Sequence, residues 1–320
     1  MRRPSNRKGK RPMEKKILSL DELSGEEIKE LVKTAIKIKK RPARYANRLK
    51  GKTLLLLFQK TSTRTRLAFE LGMEKLGGIP VVMDWGKSNF SISPLKYEAM
   101  YVGSMVDSIL ARLVRHEDAR EFARSVEVPF INGCCNMYHP SQALADLMTV
   151  YEVSGGFQTS LTYVGVRNNV ANSLFYGCLK TGVKLTFVTP LKDELPPGLS
   201  ELEGKGGTAK AGSFEETLDL EKAVASSEFV YTDAWINMED FHDENKKRAN
   251  EERIGTMIKY QVNRKLIEGK GVYVMHDMPV HPGLEIDDYA ITCEHSLVLR
   301  QAQNRMYSGQ ALLLCLLDAL

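Results

Sequence analysis

An α/β chain of two doubly wound parallel-sheet domains, with the active site in the cleft between them, is what this sequence predicts. The stretch "KTLLLLF" at 52–58 is a continuous apolar run, the pattern of a strand covered on both faces. Strand-like and helix-like stretches alternate after it, as parallel strands joined by crossover helices require. The chain has 320 residues and the alternation restarts after about Tyr151, which suits two cores at roughly 100–200 residues per domain.

In the first half, helical spacing after Arg66 runs to Gly77 and Gly78, and is followed by "IPVVMD", "DSILARL", the helical "HEDAREFARSV", "PFING" and a long helix from near His139. In the second, "LTYVGV", "VKLTFVTP", "EFVYTDAW" and "GVYVMHDM" read as strands and "NNVANSLFYGCLKTG" as a helix. The glycine-rich "ELEGKGGTAKAGS" and the charged "MEDFHDENKKRANEER" read as loops, the second long enough for a lid. This divides the chain into a basic tail at 1–12, a first domain at 13–150 and a second at 151–297.

Composition excludes several function classes. Apolar residues make up 43% and charged residues 27% of the chain, and no apolar run approaches the roughly 18 residues that cross a bilayer. Neither a membrane span nor a signal peptide is predicted. The net charge is +5, but "MRRPSNRKGKRP" holds six basic residues and no acidic one, so without those six the rest is near −1. A nucleic-acid surface on the body of the protein is therefore rejected. The tail itself reads as a disordered extension, or an upstream start with Met13 as the working start, in preference to a mitochondrial address. Five cysteines, two of them adjacent at Cys134 and Cys135, make neither a disulfide framework nor a zinc site, and reduced thiols in a cytoplasm are expected.

In an open parallel sheet, chemistry sits just beyond the carboxyl ends of the strands. After the first strand comes Ser62-Thr63-Arg64-Thr65-Arg66 at a helix start, where free backbone N–H groups, hydroxyls and arginine forks suit a phosphate. Taken alone, such a segment also reads as a solvated cap with surface arginines. Arg112 ends another strand. His139 and Gln142 stand on one first helical turn and are expected to face the same crevice, with the helix start lowering the pKa of His139 and keeping it neutral. "VGVRNNVANS" has one glycine where a dinucleotide turn wants three, so an NAD-dependent oxidoreductase is disfavoured. Asp233 and Asp277 each end a strand, with the amides of Asn168 and Asn169 nearby. Singly each aspartate reads equally as a turn cap, but carboxylates opposite a phosphate site suit a substrate carrying an ammonium group.

Together these stretches resemble the aspartate and ornithine carbamoyltransferase family, its ornithine branch most closely, from about Ile17 onward. "FQKTSTRTRLAFE" is similar to the family's carbamoyl phosphate loop, seconded by "HPSQALADLMT", "NNVANS", "YQVN" and "NRM". The resemblance implies that Ser62, Thr63, Arg64, Thr65, Arg112, Met278 and Arg305 bind carbamoyl phosphate, with His139 and Gln142 holding its carbamoyl oxygen and amino group. It implies that Asn168, Asn169, Asp233, Asn237, Met238 and Asp277 hold the amine substrate, and that the helix at 298–320 crosses back to the first domain. Arg64, His139, Gln142 and Asp277 are the catalytic candidates, without cofactor or metal. The expected partners are carbamoyl phosphate and a cationic amine, in a homotrimer or a multiple of trimers.

Three departures bear on the amine. The chain reads "WINME", with Asn237 and Glu239, where the branch has serine and glycine; His276-Asp277-Met278-Pro279 stands for His-Cys-Leu-Pro; and "SPLKYEAM" at 93–100 replaces an acidic pattern. Asp277 and Asp233 would repel aspartate. Ornithine is expected by resemblance, with lysine, putrescine, an N-acylornithine or a diamino acid as alternative acceptors, and a non-catalytic carbamoyl phosphate-binding protein as the other class.

Overall fold

The structure, a computed structural model, describes residues 15–196, 199, 207–208, 212–237 and 240–320. The tail at 1–12 and Met238 lie outside them. The first sheet contains β1 (Lys16–Ile17), β2 (Thr53–Phe58), β3 (Ile79–Asp84), β4 (Ser108–Arg112) and β5 (Phe130–Cys134). Its order is β1-β5-β4-β2-β3, every neighbouring pair parallel. The second contains β6 (Ser160–Arg167), β7 (Lys184–Lys192), β8 (Gly207–Thr208), β9 (Ser213–Glu216), β10 (Phe229–Thr232) and β11 (Tyr273–His276), in the order β11-β10-β6-β7-β9-β8. Its neighbours are parallel except β8 with β9.

Both sheets are covered on both faces, and β2 shows why an unbroken apolar run was needed. Leu54, Leu56 and Phe58 enter one core, while Leu55 and Leu57 enter another with Phe122 and Val102. Those two residues come from α4 (His116–Ser125) and α3 (Leu95–Met105). On the other side, α1 (Gly25–Lys40), α5 (Pro140–Ser154), α6 (Asn169–Thr181) and the final helix Val298–Leu316 form a shared helical layer. Tyr163, Phe187 and Tyr231 of the second sheet meet the same core from behind, so one apolar cluster joins the two halves. A third cluster, with Val164, Val188, Val230 and Val274, covers the far face of the second sheet.

The predicted strands and helices are present, with differences at particular segments. Helix α2 spans Thr63–Lys75, so it begins three residues before Arg66 and takes the hydroxyl-and-arginine segment into its first turn. Helices α1 and α3 go beyond the predicted elements, although "SGEE" carries a capping box in which Ser24 and Glu27 bond each other's backbone N–H. The predicted loop "MEDFHDENKKRANEER" is corrected: from Lys247 it is helical through Met257. Charge was read as loop there, yet the segment has neither proline nor glycine before Gly255, and Arg248 pairs with Glu252 one turn on at 3.1 Å. "ELEGKGGTAKAGS" is also not wholly loop, since Gly207–Thr208 pairs antiparallel with Ser213–Phe214; most of the remainder lies outside the described residues.

The final helix packs against α1, α2 and α5, all from the first half. Small residues permit its close approach to α2: a Cβ at Gly309 would meet the Phe69 ring at 3.1 Å, and one at Gly72 would meet Gln310 at 3.4 Å. Gly309→Leu is expected to overpack this seam and cost about 1–3 kcal/mol in urea unfolding. An unchanged midpoint would mean that the helix is not pinned there.

Candidate active site

The carboxyl ends of the two sheets face one cavity of about 790 Å³. On the first-sheet side, β2 ends at Phe58 and α2 begins at Thr63, with Ser62 as its N-cap making no side-chain capping bond. Ser62, Thr63, Arg64 and Thr65 line the cavity. Strand β4 runs beside β2 with Arg112 in register with Phe58, which delivers a second arginine to the same wall. The Nε atoms of Arg64 and Arg112 are buried and make no hydrogen bond. Burial lowers the pKa of Arg64; Asp277 opposes this, while Arg305 and Arg112 add to it. Crowded cations with unused donors form a ready anion site.

Arg305 reaches this wall from the final helix. Its Nη2 donates to Thr65 Oγ1 at 2.6 Å and to His139 Nε2 at 3.3 Å, and its Nη1 to Asp277 Oδ1 at 3.3 Å. A guanidinium only donates, so His139 Nε2 is the acceptor and the ring proton of neutral His139 sits on Nδ1, 3.4 Å from Ser141 Oγ. His139 is held well below its ordinary pKa, as expected, but the leading cause is burial, followed by the charges of Arg305, Arg112 and Arg64. Its placement at the helix start is not what dominates.

Gln142 is fully buried and is not among the residues that line the cavity. One helical turn on, Asp146 draws the amide away from the crevice: Gln142 Nε2 donates to Asp146 Oδ1 at 2.8 Å, leaving Gln142 Oε1 buried without a partner.

On the second-sheet side, Asp233 follows β10 and Asp277 follows β11, and both line the cavity with Asn168, Asn169, Asn237 and Met278. Asn168 is occupied: its Oδ1 accepts from Val170 N and Ala171 N as the cap of α6, and its Nδ2 donates to Asp233 Oδ2 at 2.7 Å. Asn169 Nδ2 donates to Cys135 O at 2.6 Å, Asn172 Nδ2 to Met137 O at 3.2 Å, and Ser173 Oγ accepts from His139 N at 2.7 Å. The motif "NNVANS" therefore ties the two halves together as well as lining the cleft. Met278 N–H donates to His276 Nδ1 at 2.7 Å and the other ring nitrogen faces Glu285 at 3.1 Å, fixing the turn that carries Asp277.

Several lining residues were missed. Asp193 and Glu194 follow β7, so the strand-end rule would have found them. Asp193 accepts from Arg253 Nη2 at 2.6 Å, which fastens the Lys247–Met257 helix to the cavity rim. Cys134 also lines the cavity, with its thiol pKa raised by burial. Among the described residues, no cluster of three or more histidine, cysteine, aspartate or glutamate side chains is arranged to hold a metal.

Comparison with known proteins bears on what this arrangement serves. Residues 15–152 match the family described as "Aspartate/ornithine carbamoyltransferase, carbamoyl-P binding domain", and residues 158–316 match "Aspartate/ornithine carbamoyltransferase, Asp/Orn binding domain". The chain is 36% identical over 309 residues to an ornithine carbamoyltransferase of Listeria monocytogenes, covering 95% of this chain and 96% of that protein. It is 35% identical over 312 residues to that of Archaeoglobus fulgidus, covering 95% and 97%. The solved ornithine carbamoyltransferase of Pyrococcus furiosus superposes with a TM-score of 0.86 at 33% identity, over 95% of this chain and 97% of that one. That of Thermus thermophilus gives 0.82 at 33% identity, over 95% and 99%.

Burial, with Asp277 adding to it, raises the pKa of Asp233 to about 7 against the effect of Asn168 and the Ala234 N–H. The folded state thus holds this proton more tightly than the unfolded chain, and the stability so gained is present at low pH and lost as pH rises from about 4 to about 7. Asp233→Asn lacks this titration. Between about pH 4.5 and about pH 7.5 the wild type is expected to lose on the order of 3 kcal/mol relative to the variant, measured by urea unfolding at those two values. A constant difference would mean that Asp233 is not protonated on folding.

Proposed function

The chain belongs to the aspartate and ornithine carbamoyltransferase family, and from that premise we propose that it moves the carbamoyl group of carbamoyl phosphate to the side-chain amine of ornithine, giving citrulline and phosphate. The observation that carries this reading is one cavity lined by Arg64, Arg112 and Arg305 and by Asp233 and Asp277, with Arg305 and Asp277 paired where the two groups meet. The first group suits an acyl phosphate, and the second an amino acid with cationic groups. We assign residues 13–150 and the helix at 298–320 to carbamoyl phosphate, and residues 151–297 to the amine.

The neutral amine attacks the carbonyl carbon and forms the new C–N bond. A tetrahedral intermediate follows, and the C–O bond to phosphorus-bound oxygen breaks with its electron pair leaving on phosphate. Arg64, Thr65 and Arg305 stand where the oxyanion develops, with His139 orienting Arg305 through Nε2. Arg112, Ser62 and Thr63 hold the departing phosphate. Asp277, beside Arg305, takes the proton that the attacking nitrogen releases. Gln142 belongs to the network behind this wall.

A trimer, by family likeness, is supported by an apolar surface on the first half. Ile79 and Val81 on edge strand β3, Leu67 and Leu71 on α2, and Tyr97, Tyr101 and Met105 on α3 are exposed. Among the described residues, no helix is long and apolar enough to cross a membrane, and five cysteines outside any disulfide suit a reducing cytoplasm.

A second reading rests on Asp277, a carboxylate where the ornithine branch has a thiol: the acceptor is then another cationic amine. Purified protein with carbamoyl phosphate and a panel of ornithine, lysine, putrescine, N-acylornithines and diamino acids decides between them by ureido product. Strong citrulline formation supports the first reading; product with another amine alone supports the second; none at all overturns both. Arg64→Ala is expected to lower kcat/KM by about 100-fold or more with unfolding nearly unchanged, since its buried Nε makes no hydrogen bond and the guanidinium stands among like charges. Full activity in that variant would sink the site assignment.

A further inference from the structure

Behind the cavity wall lies a fully buried polar cluster that the transfer chemistry above does not use. Asp146, on the helix that opens at His139, accepts from Gln301 Nε2 at 2.7 Å and Gln142 Nε2 at 2.8 Å on Oδ1, and from the Tyr231 hydroxyl at 3.2 Å on Oδ2. Gln301, on the final helix one turn before Arg305, accepts at Oε1 from His276 N–H at 2.9 Å. That bond fixes the Gln301 amide, because the backbone N–H admits only the oxygen, and so turns Nε2 onto Asp146. Tyr231 lies two residues before Asp233, and His276 one residue before Asp277.

We propose that Asp146 and Gln301 are positioning residues for the amine: they lock the strand ends that carry Asp233 and Asp277 to the helix that carries His139. The inference rests on the transferase reading above. A core needing only apolar contact would not hold a carboxylate here, where burial is costly unless each partner is in place. Burial, with Asp277 adding to it, pushes Asp146 up to about 8, while Gln301, Gln142 and Tyr231 pull it down. When the proton is taken, Oδ2 holds it beside the Tyr231 hydroxyl and Oδ1 keeps both amides, so the lock persists in either state. Breaking it frees the turn at Asp277 on one side only, since Met278 remains held by the His276 ring. Neither Asp146 nor Gln301 lines the cavity.

The test separates the two substrates. Gln301→Met, similar in length but without the amide, cuts Asp146 from His276; Asp146→Asn keeps an acceptor for both amides; Asp146→Leu removes it. For each, the Kd of carbamoyl phosphate alone is measured by calorimetry, and KM and kcat for the amine by citrulline formation. Gln301→Met and Asp146→Leu are expected to raise the amine KM or lower kcat by roughly 10-fold or more, with the carbamoyl phosphate Kd within about twofold and Asp146→Asn within about threefold of wild type. Parallel weakening of both ligands, or wild-type kinetics in a folded Gln301→Met, overturns the proposal. If Asp146→Leu does not fold, Gln301→Met, which leaves Asp146 and Tyr231 bonded, decides alone; if neither folds, the cluster is a core element and the proposal fails. Wild-type protein that makes no ureido product overturns the transferase reading instead, and this inference with it.

Discussion

Arg305 enters the cleft from a helix far along the chain, and its one guanidinium meets the start of α2 at Thr65, the start of α5 at His139 and the end of β11 at Asp277. Three elements that share no sequence neighbourhood are held in register by a planar fork whose donors cannot be withdrawn by deprotonation near neutral pH. The helix delivers it because Gly309 and Gly72 let that helix lie close against α2. Backbone packing and site geometry are thus one constraint.

The electrostatics of the cleft follow from the same arrangement. Arg64, Arg112 and Arg305 repel one another in a partly desolvated wall, and Asp277 offsets only part of this. A dianion placed among them would satisfy donors that now have no partner. Asp233 carries the reverse problem, since burial and the nearby charge of Asp277 both disfavour its anion, and a cationic amine would relieve it. Each substrate lowers the cost that the protein bears to keep its own half of the site charged.

The joint between the halves is polar at its rim and apolar behind. Asn169, Asn172 and Ser173 bond the 135–139 segment from α6, while Phe187 and Tyr231 join Leu56 and Ile131 in the shared core. The polar bonds set direction and the apolar contacts supply most of the attraction. This division explains how "NNVANS" serves both as a helix start and as a clasp.

Residue order by itself determined the alternating elements, the strand-end positions of Arg112, Asp233 and Asp277, and the cluster from Ser62 to Thr65, because periodicity of side-chain burial and placement just past a strand are local properties. It misread the segment from Lys247, where charge resembled loop but i,i+4 pairing favoured helix. Only the tertiary structure decided which way Gln142 turns, what lowers the pKa of His139, and that Asp146, Tyr231 and Gln301 meet. The meeting of Asp146 with Tyr231 and Gln301 depends on partners 85 and 155 residues away in the chain, and the others follow from the desolvation that comes only when separate elements close over a polar group.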